Sequence, residues 1–388
     1  MDTRTIERQG QEPHGVVTAR RRAATLILLA LVVTALLGAI AGGLLRAGVA
    51  VPVGDGAAWP GRAALMHAAL MICCFMGTVI GIERAVAVKR RAAWLAPSAS
   101  ALAGPALLAG LNAPAQWLLV GAALAFTGVN VLVVHRQRAA HTVLLLAGAL
   151  CWLAGNLLFA LDWGTAAAPA WWFAFLVMTI AAERLEMTRM MRRRPGAQSA
   201  LVAVLALMAT GAAASAVAPV GGGILYGASL LLLALWLIRF DIARRTLFTD
   251  GLARYMAVCL LGGYAWLAVS GVAWAASALG VPTRDAALHA LGLGFVFSMM
   301  MGHAPVILPA IARVKVLFGA VFYLPLAALH LSLLARLGPG FAAPAWRSQG
   351  SLFNVLSIAL FAATVAGAVW AWRLKHGPAR AMRNRAAH

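Results

Sequence analysis

The sequence predicts an all-α polytopic membrane protein of twelve transmembrane helices, with both termini in the cytoplasm. Three observations carry that prediction. The first is composition: 63% of the 388 residues are hydrophobic, 11% are charged, and the mean hydropathy is +0.86. A soluble chain would carry about 25% charged residues. The second is the recurrence of apolar segments of roughly 20 residues, the length that crosses a bilayer. The third is the placement of basic residues between those segments.

In chain order, a polar arm at 1–23 leads into an apolar segment too long for a signal-peptide core, so the arm is expected to be cytosolic and the first helix retained. The transmembrane domain occupies 24–373. Its spans are drawn at 24–45, 63–88, 92–112, 115–134, 140–161, 168–188, 198–218, 222–239, 254–279, 285–311, 314–336 and 351–372. A basic cytosolic tail at 374–388 follows. With the N-terminus inside, Arg46, Arg62, Arg284, Arg336 and Arg347 fall on the outer side. The rest of the 32 Lys and Arg fall on the inner side, including Arg20, Arg21, Arg22, Lys89, Arg90, Arg91, Arg192, Arg193 and Arg194. This is the positive-inside rule with one sign throughout. The net charge of +21 is therefore topological and argues for no nucleic-acid partner. The expected partner is the lipid bilayer of a bacterial-type cytoplasmic (inner) membrane.

Cys73, Cys74, Cys151 and Cys259 all lie within spans and are expected to be packed free thiols. Trp59, Trp163, Trp171, Trp172 and Trp346 lie near span ends, as in an interfacial belt. Asn130, Asn156 and Asp162 are expected to make interhelical hydrogen bonds.

The second span ends FMGTVIGIER (75–84) and the sixth ends FLVMTIAAER (175–184), with Phe, Ile, Glu and Arg in register. Aligning His289 with His67 lays the tenth span on the second. Spans two, six and ten are four apart, which predicts three groups of four helices.

Nine histidines are present. His14, His376 and His388 lie in the termini, and His135 and His141 bracket an inner loop, so these five read as solvated. The other four lie within spans, where an ionisable residue is costly and marks a functional site. His67 follows Arg62 by five residues, His289 follows Arg284 by five, and His330 precedes Arg336 by six. At ~1.5 Å per residue, all three sit roughly 7–9 Å below the outer boundary. His303 lies about 21 Å deeper than His289, and within ~40° of it on an ideal helix.

Three imidazoles at one depth suit an iron or copper ion, and a haem would pair its propionates with Arg62, Arg284 and Arg336. The alternative is that each histidine bonds a neighbouring helix. His303, in GHAPVILP, would be a second metal ligand or proton relay, or would satisfy a carbonyl freed by Pro305 or Pro309. Glu83–Arg84 and Glu183–Arg184, with Glu186, read as ion pairs locking helices together, or as a proton uptake route. Tyr323 lies on the face of His330 and reads as a core residue or a donor to a bound ligand. The methionines of SMMMGH cannot share one helix face and read as packing.

HAALM at the start of the second span and HALGLGFVFSMMMGH in the tenth resemble the histidine-led spans of the NnrS family. Those are twelve-span bacterial membrane proteins of haem, copper and nitric-oxide metabolism. The three-by-four plan is similar to that of the catalytic subunit of haem-copper oxidases. That resemblance implies haem b ligation by His67 and His289, with copper as a further metal. It does not extend to the oxidase copper site, because spans six and seven contain no histidine.

The resulting expectation is a haem-binding protein, with copper as a further metal, in redox or gas-ligand chemistry of nitrogen oxides. Nitric oxide or oxygen would be the small ligand, and an electron donor the partner. The metal ligands expected are His67, His289, His330 and His303. The rival readings are a secondary transporter with a broken helix at 302–309, and a factor that delivers haem or metal to another complex.

Overall fold

The computed structural model describes residues 14–52, 56–162, 167–187, 195–312 and 314–385, with side chains from 23 to 376. His14, Arg20, Arg21, Arg22, Trp163, Arg192, Arg193, Arg194 and His388, singled out above, lie outside the described side chains. Among the described residues the chain is helical, with no strand.

The helices, in order, are α1 (His14–Arg46), α2 (Trp59–Leu65), α3 (Gly77–Val88), α4 (Leu95–Ala109), α5 (Asn112–Arg136), α6 (Ala140–Ala160), α7 (Ala168–Met187) and α8 (Ala197–Ala214). They continue with α9 (Pro219–Phe240), the single turn α10 (Ala243–Thr246), α11 (Gly251–Ala278), α12 (Arg284–His289), α13 (Ser298–Ala312), α14 (Tyr323–Leu337), the short α15 (Pro339–Ala342) and α16 (Pro344–Arg385). Helix ends follow local chemistry. Pro60 and Pro219 stand in first turns, where a missing N–H costs nothing. Gly110 ends α4 at φ 85°, a left-handed cap that a glycine adopts without strain.

Among the described residues, eleven helical segments are long and apolar enough to cross a membrane. The expected span at 168–188 is observed as α7, but it falls outside that set. It carries Glu183, Arg184 and Glu186, and it is buried along most of its length. A helix wrapped by other helices need not be apolar for lipid. The outer faces of other helices in the bundle are apolar, with Leu26, Leu37, Leu235, Leu356 and Leu360 exposed, as a bilayer environment requires.

Each long helix packs on its neighbour in sequence from α4 to α9 and on to α11. The pair α14 and α16 closes the arrangement by returning α16 to α1. The second, sixth and tenth segments, which the sequence pattern grouped, also touch one another. Residues 69–76 meet α7, α7 meets residues 290–297, and α3 meets α13.

Three features depart from the expectation. The second and tenth spans are not continuous α-helices: each contains a π-helical stretch, Ala69–Met76 and Ala290–Phe297. Residues 314–319 are not helical, so the eleventh span, expected from 314, starts later. The last span, expected at 351–372, is longer, because α16 runs from Pro344 to Arg385.

Candidate functional site

The two π-helical stretches begin within two residues of His67 and His289, respectively. A π turn closes its hydrogen bonds one residue later than an α turn and recurs at functional sites. The Gly77 N–H, for example, bonds the Ile72 carbonyl. Nothing in the apolar periodicity signals these stretches, yet they fall at the same place in both spans.

His67 and His289 are ring neighbours on the cavity wall. Their ring centroids lie 6.3 Å apart and their planes 25° from parallel. His67 Nδ1 donates to the Ala39 carbonyl of α1 at 2.7 Å. A carbonyl only accepts, so Nδ1 carries the proton and Nε2 keeps its lone pair. His289 Nδ1 donates to Asp285, one turn earlier, with the backbone oxygen and Oδ1 each at 3.0 Å. Its Nε2 likewise keeps the lone pair, and Arg336 Nη2 stands 3.2 Å from each ring nitrogen, over the ring. Both rings thus present the tautomer that ligates a metal through Nε2.

The separation tests that chemistry. With metal–nitrogen bonds of ~2.0–2.1 Å and a further ~1.1 Å from nitrogen to ring centre, two imidazoles on opposite sides of one ion have centroids about 6.3 Å apart. The observed spacing matches. Gly43 of α1 makes room for the first ring, since a Cβ there would stand 2.8 Å from His67 Cε1.

Both rings line a cavity of about 530 Å³, within the ~300–1,000 Å³ range of small-molecule sites. Its walls are apolar, with Leu36, Ile72, Phe173 and Phe297 among them, and Arg46, Arg284, Arg336 and Arg347 line it as well. Arg336, nearly buried, holds Asp285 in a two-bond fork, Nη2 to Oδ1 at 2.7 Å and Nε to Oδ2 at 3.0 Å. The volume exceeds what one bare ion needs. Apolar walls, arginines and two neighbouring imidazoles suit a flat, mostly apolar group that carries carboxylates and a central metal.

Other expected ligands lie elsewhere. His330 does not join the pair. Trp266 Nε1 donates to its Nδ1 at 2.8 Å, so Nε2 carries the proton, buried without a partner and close against Gly262. Neither nitrogen is open to a metal. His303 has both nitrogens engaged, Nδ1 donating to the Met299 carbonyl at 2.7 Å and Nε2 accepting from Arg184 Nη2 at 3.1 Å. It does not share a stripe with His289, because each π residue advances the helix by less than the ~100° of an α residue. Among the described residues, no group of three or more His, Cys, Asp or Glu is placed to hold a metal.

Arg62 is a helix cap, its Nη1 donating to the Leu108 carbonyl at 3.0 Å beside Gly110. The helix expected to break at 302–309 is intact, with α13 running through Pro305 and Pro309. The Met301 carbonyl, which Pro305 leaves without its helical donor, lies 3.4 Å from Tyr255 Oη instead. Tyr323 packs edge-on against Tyr255 and away from the cavity.

The remaining polar expectations divide. Asn156 bonds across helices, Nδ2 to the Leu119 carbonyl and Oδ1 from Trp172 Nε1, which buries Trp172 in the core instead of an interfacial belt. Asn130 bonds only within its own helix, and Asp162 is exposed. His141 is buried, 3.8 Å from Glu186, and not solvated. Among the described residues, Glu83 and Glu183 are in no ion pair. The four cysteines are buried free thiols.

Asp285 was missed in the sequence. Its signal was an acidic residue one turn before His289, in a chain with only 11 Asp and Glu. Arg46 and Arg347 had been read as boundary markers alone.

No curated protein and no solved structure matches the chain. A family model described as a domain of unknown function, DUF8744, matches residues 25–370, and the chain belongs to that family.

Proposed function

We propose that this chain is a haem-binding protein of the bacterial inner membrane, acting in redox or gas-ligand chemistry of nitrogen oxides as the NnrS resemblance implies. The observation that carries the reading is the neighbouring pair His67–His289, spaced for one shared ion inside an apolar cavity lined by arginines. His67 and His289 would hold haem b through their Nε2 atoms, and Arg284, Arg336 and the newly placed Arg46 and Arg347 would pair with its carboxylates. When bound, the group supplies one-electron transfer or, with one axial position open, nitric-oxide or oxygen binding.

The chain's own work is positional. Ala39 and Asp285 fix the two tautomers, the π-helical stretches aim the rings, and the apolar walls limit water. Copper suits the same donors, but the cavity is large for an ion alone. The transport reading lost its broken helix.

The test is an absorption spectrum of the purified protein, oxidised and dithionite-reduced, with a metal count. The expected result is a Soret band with stoichiometric iron, lost in His289→Ala, shifted in His67→Ala and unchanged in His330→Ala. Colourless protein, or copper without haem, would overturn the reading.

A further inference from the structure

The two neighbouring imidazoles are held in different ways. His289 has a carboxylate behind it: Asp285 Oδ1 lies 3.0 Å from Nδ1. That carboxylate is clamped by Arg336 through two bonds of 2.7 and 3.0 Å. The guanidinium is steadied in turn by Asn354 Oδ1 at 3.4 Å, and Asn354 Nδ2 donates to Ser332 at 2.6 Å. Asp285 and His289 sit on one helix four residues apart, so ring and partner move together.

His67 has only a neutral partner, the Ala39 carbonyl, and that oxygen belongs to a different helix. A shift of α1 against α2 would release its ring. Behind it stands Gly43, which offers no side-chain wall.

A carboxylate accepting from the far nitrogen makes an imidazole a stronger metal donor than a neutral carbonyl does. Building on the haem reading, we propose that the two imidazoles would be unequal donors to the group. His289 is the anchor, and His67 is the ligand that yields to an incoming small molecule such as nitric oxide. Asp285 is the positioning residue that creates the difference, and Arg336 moderates it by sharing the carboxylate's charge.

The experiment uses the full chain in detergent, reconstituted with haem, and compares wild type with His67→Ala, His289→Ala, Asp285→Asn and Arg336→Gln. His67→Ala is expected to keep haem and to bind carbon monoxide in the ferrous state. His289→Ala should hold haem about 10–100-fold more weakly than His67→Ala, the range over which a carboxylate behind a ligand acts. The reduction potential should rise in Asp285→Asn, which removes negative charge beside the ligand. It should fall in Arg336→Gln, which removes positive charge. General loosening of the site would move both variants in the same direction.

Equal haem loss in the two histidine variants, or shifts of one sign in the Asp285 and Arg336 variants, would overturn the assignment while leaving haem binding intact. A wild-type protein with no Soret band fails the haem reading and, with it, this one.

Discussion

Two pairs of half-buried histidines lie within the spans of this bundle, and their surroundings differ. At the cavity, His67 and His289 each use Nδ1 for a protein acceptor and line a shared space, with Arg336 Nη2 3.2 Å from both nitrogens of His289. Elsewhere, His303 has both nitrogens engaged by Met299 and Arg184. His330 has Nδ1 bonded to Trp266 and Nε2 lodged against Gly262. All four are imidazoles within apolar helices. What separates them is which nitrogen keeps a lone pair and what lies in front of it. Depth in the membrane is therefore a poor guide to ligation, and the hydrogen bond on the far nitrogen is the better one.

That contrast can be broken by three substitutions, beginning with the largest effect. Gly43→Val places a branched side chain where a single Cβ already stands 2.8 Å from His67 Cε1. It should displace the ring and reproduce the carbon-monoxide binding expected of His67→Ala, read in the ferrous absorption spectrum. An unchanged wild-type spectrum would mean that the ring has slack the packing does not show.

His303→Ala should act on stability instead. It leaves the buried Arg184 without that acceptor, a loss of about 1–3 kcal/mol, while the haem spectrum stays unchanged. Thermal unfolding in detergent and the absorption spectrum are the paired measurements. A changed spectrum would bring His303 back as a ligand.

The smallest effect is expected from His330→Phe. The ring keeps its place near Trp266, whose plane lies 11° from that of His330, and an unpartnered N–H is removed at the loss of one hydrogen bond from Trp266. The net change should be below about 1.5 kcal/mol, with iron content unaltered.

Much of the site was visible before any coordinates. His67 and His289 stood out because an ionisable side chain in an apolar span needs a reason. Aligning them also aligned the two spans that turn out to share a π-helical stretch. His330 was drawn into the same group by matched distance to an arginine, which measures depth and says nothing of direction around the helix. Arg62 was counted for the same reason, and its guanidinium instead closes the end of α4. The stripe joining His289 to His303 assumed an unbroken α-helix, and the π stretch rotates one off the other.

The sequence by itself determined the class of protein. Apolar segments of spanning length and few charges leave a helical membrane bundle as the way to satisfy every backbone group without water. It also marked His67 and His289 as ionisable side chains inside apolar spans. The tertiary structure decided how they are deployed: that α7 is wrapped by other helices, that Asp285 is shared between His289 and Arg336, and that a glycine on α1 opens room for His67. Each of those depends on the angle at which one helix meets another. Periodicity along a single chain segment carries no record of that angle.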